Sequence, residues 1–239
     1  MEYTLVCLHG WGGSSESFTE LRSALKGVNI RILTPDLPGF GSEPEPKNAC
    51  DTNAYAAWAL SYIQNNVTTK GLLLLGHSHG GRICIKLATT GSLHIDHLFL
   101  CAAAGIRHPR HLKRIIGLSL AKSGKFFLSI PGLRALEPLG KKLLYKLVRV
   151  HDYEKASDIM RQTLIRVSKE DLRPILKKIQ IPCDIFWGKE DRMTPFADAI
   201  VMEKEITNAV LHSYSGVRHA VHRDRAEEIA KVIRTTISA

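Results

Sequence analysis

The sequence predicts an α/β chain: a mostly parallel sheet of about six strands, helices on both faces, and a helical insertion after the fourth strand. Three observations predict it. Short apolar runs alternate with segments of helical period from Thr4 to Ala104, the pattern of parallel strands joined by crossover helices. That alternation stops at Gly105 and resumes only at Cys183. The chain has 239 residues, 44% of them hydrophobic, which suits one sizeable core rather than two.

Taken in order, Thr4 to Leu8 reads as a first strand, closed by His9-Gly10-Trp11-Gly12-Gly13. Ser14-Ser15-Glu16 offers a helix start, and Phe18, Leu21, Ala24 and Leu25 recur at helical spacing until Gly27. Ile30 to Leu33 is a second strand, stopped by the turn residues Thr34-Pro35-Asp36-Leu37-Pro38-Gly39-Phe40-Gly41. A polar loop reaches Cys50. Asn53 to Val67 is a helix with Ala56, Ala57, Leu60 and Ile63 as its apolar side.

The third strand is the run Leu72-Leu73-Leu74-Leu75, followed at once by Gly76-His77-Ser78-His79-Gly80-Gly81 and a helix carrying Ile83, Ile85, Leu87 and Ala88. A buried strand that ends on Gly-x-Ser-x-Gly and becomes a helix lifts Ser78 onto a tight turn with its hydroxyl exposed. Gly76 and Gly80 are needed because a side chain there would strike the neighbouring strand or helix. Ser78 is therefore a nucleophile candidate. Leu98 to Ala104 is the fourth strand.

From Ile106 to about Leu176 the pattern is helical, punctuated by Pro131, Gly132, Pro138 and Gly140. The expected organisation is a core of residues 1–105 and 177–239 with a cap of residues 106–176. The cap is strongly basic. Twelve Lys or Arg residues between Arg107 and Lys155 face only Glu137, Asp152 and Glu154, and so hold most of the chain's net charge of +10. Either this is a solvated face, or it recruits an anionic partner such as an acyl carrier or a lipid surface. Nucleic acid is not expected, because no recognition motif accompanies the charge. Apolar residues between the charges, among them Ile115, Phe126, Leu133 and Leu147, would pack on the core and line an acyl pocket. After the cap, Cys183 to Trp187 is a strand, Phe196 to Ile206 a helix, Ala209 to Tyr214 a strand and Arg225 to Ile237 a closing helix.

Loops at the carboxyl ends of parallel strands gather at one edge. Ser78 needs a base there, and a histidine backed by a carboxylate is the usual solution. The strand ending at Trp187 is followed by Gly188-Lys189-Glu190-Asp191, and the strand ending at Tyr214 by Ser215-Gly216-Val217-Arg218-His219. Glu190, Asp191 and Asp184 compete as the acid. Asp184 lies at the wrong end of its strand. His219, His212 and His222 compete as the base. His212 lies within a strand, and His222 is expected at the surface or the pocket rim. His9 and His77 are expected to hold loops, and Asp36 to order its own turn.

Five blocks in the right order resemble the α/β-hydrolase superfamily, in its small, capped, esterase-like form. They are His9-Gly10-Trp11-Gly12-Gly13, Asp36-Leu37-Pro38-Gly39-Phe40-Gly41-Ser42, Gly76-His77-Ser78-His79-Gly80-Gly81, Trp187-Gly188-Lys189-Glu190-Asp191 with Pro195, and His219 with Arg223-Asp224-Arg225-Ala226-Glu227-Glu228-Ile229. The resemblance implies Ser78 as nucleophile, Asp191 as acid and His219 as base, with the backbone N–H groups of Trp11 and His79 as the oxyanion hole. It also implies that Trp11 and His79 contact substrate. His79 departs from the pattern, since an apolar residue is common there. Ala226 departs too, standing where proline is frequent. The family often has two more strands at its start, and six rather than eight are expected here.

The implied activity is hydrolysis of a small-molecule carboxylic ester, with no metal or cofactor. Lipase, thioesterase and carbon–carbon bond hydrolase chemistries use the same triad. A ligand-binding scaffold that has lost activity is the alternative of a different class. The scattered Cys7, Cys50, Cys84, Cys101 and Cys183 read as small buried hydrophobes in a reducing compartment. No basic leader precedes Thr4, and no apolar run nears the roughly 20 residues of a membrane span, so a cytoplasmic protein is expected.

Overall fold

The computed structural model describes residues 2–107 and 156–238. Six parallel strands form one sheet: β1 (Tyr3–Leu8), β2 (Ile30–Leu33), β3 (Gly71–His77), β4 (His97–Cys101), β5 (Cys183–Gly188) and β6 (Ala209–Tyr214). Their order is β2-β1-β3-β4-β5-β6. Chain order reverses between β1 and β3, and the crevice at their carboxyl ends is where such sheets bind ligands.

The strands form because their residues can be buried on both faces. All seven residues of β3 are buried, and helices cover the sheet on either side. Each buried leucine in Leu72–Leu75 contributes about 2 kcal/mol by leaving water. A 3-10 turn, Ser15–Phe18, precedes α1 (Thr19–Ala24), with Ser14 capping the turn through the N–H of Glu16. Asp51 caps α2 (Thr52–Asn66) by accepting from the N–H of Ala54 at 2.8 Å. The buried side of α2 is Thr52, Tyr55, Ala56, Ala59 and Ile63. Ala57, expected on that side, faces solvent, because it lies about 100° round the helix from Ala56.

α3 (His79–Thr90) starts directly after the Ser78 turn. A Cβ on Gly80 would stand 1.9 Å from the carbonyl oxygen of Leu8, and one on Gly76 2.5 Å from the Cα of Gly81. These two glycines let α3 lie against β1 and β3.

β4 ends at Cys101, three residues before the predicted Ala104. Ala102 adopts φ 45°, which ends the extended run. Its N–H still bonds the carbonyl of Phe186 at 2.9 Å, and the turn sends the N–H of Ala104 to the carbonyl of Ser78 at 2.9 Å.

Residues 108–155, most of the predicted cap and all of its basic run but Arg107, lie outside the described residues. The chain returns as α4 (Asp158–Lys169) and α5 (Arg173–Leu176). The N–H of Leu172 bonds the carbonyl of Gly105 at 2.8 Å, so the returning chain meets the departing one. α4 seats on the loop after β2. Thr163 accepts from the N–H of Cys50 at 3.0 Å, Ser157 donates to Glu45 at 2.6 Å, and Arg166 donates to the carbonyl of Ala49. The remaining helices are α6 (Phe196–Glu205), α7 (Val221–Asp224) and α8 (Ala226–Ser238). Among the described residues, no helix is long and apolar enough to cross a membrane.

Candidate active site

Ser78 occupies the turn between β3 and α3 at φ 50°, ψ −111°. A side chain at positive φ away from glycine costs about 1–3 kcal/mol and persists only where its surroundings hold it. Here they do. The Ser78 N–H donates to the carbonyl of Cys101 at 3.1 Å, and its carbonyl accepts from Ala104 at 2.9 Å and Arg82 at 3.2 Å. The side chain is half-buried at the carboxyl edge of the sheet.

Asp191 and His219 come together. Nδ1 of His219 lies 2.7 Å from Oδ2 of Asp191. The carboxylate only accepts, so Nδ1–H of His219 donates to it, which makes Nε2 the ring nitrogen that can act as base. Asp191 is buried but well supplied with donors. Its Oδ1 accepts from the N–H groups of Met193 at 2.7 Å and Thr194 at 3.1 Å, and its Oδ2 accepts from the Thr194 hydroxyl at 2.8 Å. Burial alone would raise its pKa. The hydrogen bond from His219 and the donors of Thr194 and Met193 outweigh that and hold the carboxyl below its ordinary value, ionised at neutral pH.

The competitors fall elsewhere. Glu190 is exposed. Asp184 sits near the amino end of β5 and joins His97 at 2.7 Å and His212 at 2.5 Å, across three neighbouring strands. His222 corrects the sequence reading. Expected at the surface or rim, it is 3% exposed and stacks on His77 with ring centroids 3.7 Å apart. It lies on α7, whose short turn points it inward beneath the site, and burial drops its pKa to about 3.

The first loop is a tight turn. The N–H of Gly13 bonds the carbonyl of Gly10 at 3.0 Å, with Gly12 at φ 73°. A turn of this kind uses the N–H of its fourth residue and leaves that of its second, Trp11, outside. His79 is the first residue of α3, so its N–H belongs to the orphan donors of a helix start. Its imidazole is buried, set edge-on between Trp11 and Tyr55, with no partner for Nε2. Burial lowers its pKa to about 3, so the ring is neutral.

His9 and Asp36 hold loops as expected. Nε2 of His9 accepts from the N–H of Leu37 at 2.9 Å, so Nδ1 carries the proton and donates to the Gly10 carbonyl at 2.8 Å. Asp36 accepts from Ser15 and Ser42, and its pKa falls to about 2 although burial opposes the shift.

The sequence reading missed Thr194. Its hydroxyl lies 2.8 Å from Asp191 Oδ2, 3.2 Å from Nδ1 of His219 and 3.2 Å from the carbonyl of Ala102. The available signal was a threonine three residues after an aspartate in a turn, where both side chains can bond nearby backbone. Among the described residues, no group of three or more His, Cys, Asp or Glu side chains is placed to hold a metal ion.

Comparison with known proteins gives a consistent result. An uncharacterised hydrolase of Bacillus subtilis, YugF, is 28% identical over 96% of this chain and 88% of its own length. Lipase 1 of Psychrobacter immobilis is 24% identical over 98% of this chain and 78% of its own. An esterase from Exiguobacterium antarcticum superposes with a TM-score of 0.74 at 24% identity, covering 99% of this chain and 92% of that one. A hydrolase from Pseudomonas aeruginosa superposes at 0.75 with 17% identity, covering 100% and 91%. The alpha/beta hydrolase family matches residues 5–232, from the first strand to the last helix, and the chain belongs to that family.

Proposed function

We propose that the chain is a serine hydrolase of small-molecule carboxylic esters, with Ser78 as nucleophile, His219 as base and Asp191 as the acid that orients it. The observation that carries this reading is the 2.7 Å bond between Asp191 and Nδ1 of His219, on loops at the same sheet edge as the strained Ser78.

In this mechanism Nε2 of His219 takes the Ser78 hydroxyl proton as the oxygen attacks the ester carbonyl. Asp191 stays ionised and stabilises the imidazolium. The backbone N–H groups of Trp11 and His79 receive the developing oxyanion, each contributing about 3 kcal/mol at the transition state. The imidazolium returns its proton to the leaving alcohol, which departs. Water activated by the same His219 then hydrolyses the acyl-enzyme and frees Ser78. No step as written calls on a metal or cofactor.

The test is p-nitrophenyl acetate turnover by wild type and Ser78→Ala. Loss of activity in the variant is expected. Equal rates would sink the reading and leave a ligand-binding scaffold. The lipase and esterase among the relatives make esters the first substrates to try. A series of acyl lengths, with an acyl-CoA thioester and a vinylogous diketone beside it, separates esterase, lipase, thioesterase and carbon–carbon hydrolase. Salt-sensitive activity on the acyl-CoA alone would assign the basic run of the insertion to an anionic acyl carrier.

A further inference from the structure

We propose that His77 is a positioning residue, whose Nε2–H bond to the backbone carbonyl of His219 sets the base against the nucleophile. This rests on the roles given above to Ser78 and His219. The problem it solves is one of reach. β3 and β6 stand three places apart in the sheet, about 14 Å at ordinary strand spacing. The loop after β6 must cross back over β5 and β4 to bring His219 to Ser78. It is tied to the β5 loop by the bonds Lys189 N–H to Tyr214 and Glu190 N–H to Val217. It is tied to β3 by His77, the residue immediately before Ser78, at 3.0 Å. The brace therefore joins the backbone of the base to the neighbour of the nucleophile.

Chemistry fixes the direction of that bond. A carbonyl oxygen only accepts, so the proton of His77 is on Nε2 and Nδ1 is a bare lone pair. The ring is packed on several sides. His222 stacks on it at 3.7 Å, the His219 ring stands 4.9 Å off, and a Cβ on Gly10 would come within 2.8 Å of Nδ1. Burial, with His222 and His219 beside it, keeps the ring neutral. A neutral ring whose one proton is committed to a backbone carbonyl relays no proton. Its contribution is geometric, and a displacement of about 1 Å at such a site costs on the order of a hundredfold in rate.

The experiment compares His77→Leu, His77→Gln and His77→Asn with wild type and Ser78→Ala, on p-nitrophenyl acetate, with folding followed by circular dichroism. Gln can place an N–H where Nε2 lies, whereas Asn reaches only the Nδ1 position. The expected result is a kcat for His77→Leu about 10- to 100-fold down at unchanged KM. Gln should recover it to within a few-fold, and Asn should not. If His77→Leu does not fold, the Gln and Asn pair still decides. Equal kcat for Gln and Asn, or a folded His77→Leu with wild-type kcat, overturns the proposal while an inactive Ser78→Ala leaves the nucleophile reading standing. Should Ser78→Ala match wild type, both fall together.

Discussion

The hydroxyl of Thr194 lies 2.8 Å from Oδ2 of Asp191, the same oxygen that meets the Nδ1 proton of His219. Thr194 thus steadies one carboxylate oxygen while the N–H groups of Met193 and Thr194 hold the other. Thr194→Val keeps the shape and removes that bond, a loss of about 1–2 kcal/mol. The melting temperature should fall by the few degrees that this energy represents, and ester turnover should fall several-fold as the carboxylate loosens. A Val variant at full activity would show that the backbone donors suffice.

Asp191→Asn should be far more damaging. The N–H groups of Met193 and Thr194 demand an acceptor at Oδ1, so the amide must turn its NH2 towards His219. That favours the imidazole tautomer with its proton on Nε2, which cannot accept from Ser78. We expect kcat to drop by about a thousand- to ten-thousand-fold with the fold intact, read by steady-state kinetics.

Asp184 gives a prediction on stability, away from the site. Burial would raise its pKa, but the bonds from His212 and His97 bring it down to about 2. A carboxylate depressed in the folded state stabilises the protein above its unfolded pKa of about 3.9, and that stabilisation is lost as pH falls towards 2. Asp184→Asn should therefore lower stability by about 1–2 kcal/mol at pH 7. The difference in melting temperature from wild type should narrow between pH 4 and pH 2. A constant difference across that range would show that shape, not charge, holds the three strands together there.

His79→Phe tests the buried, unpartnered imidazole. Because the ring is already neutral, its replacement removes no charge. Removing a polar nitrogen without a partner should leave stability equal to wild type or raise it by about 1 kcal/mol. Thermal melts at pH 5 and pH 8 should show the same offset. A destabilised variant would mean that the slot between Trp11 and Tyr55 does not admit the wider ring.

Gly80→Ala is the severe case. The added methyl meets a backbone oxygen at 1.9 Å, and a strand carbonyl has nowhere to go. A loss of roughly 3 kcal/mol or more is expected, seen as a large drop in the denaturation midpoint.

The architecture was readable because apolar runs and glycines act locally. The Leu72–Leu75 run and the strand at Ala209–Tyr214 follow from nearest neighbours, and the need for Gly76 and Gly80 from the Gly-x-Ser-x-Gly turn, although the atom that Gly80 makes room for belongs to Leu8. The sheet-edge rule brought the loops after β5 and β6 together but left Glu190 beside Asp191 and His222 beside His219, and the choice within each loop rested on the family resemblance. What was not readable depended on partners distant in sequence. The end of β4 was misplaced because Ala102 turns to let Ala104 reach Ser78, a bond between residues 26 apart that no propensity reports. His222 looked peripheral because α7 is too short to show a buried face by periodicity, and its stacking partner, His77, lies at the end of β3. Thr194 needed the fold before its hydroxyl could be seen to serve a carboxylate.

The bond from Leu172 N–H to the Gly105 carbonyl has a consequence for how this protein can change. It holds the departing and returning chain side by side. Changes of length within residues 108–155, between those two points, leave the strands in register, whereas α4 is fixed by its bonds to Glu45, Ala49 and Cys50. Diversity in the chemistry that such a core serves is then a matter of what is hung between two adjacent hooks, with the reacting groups left where they are.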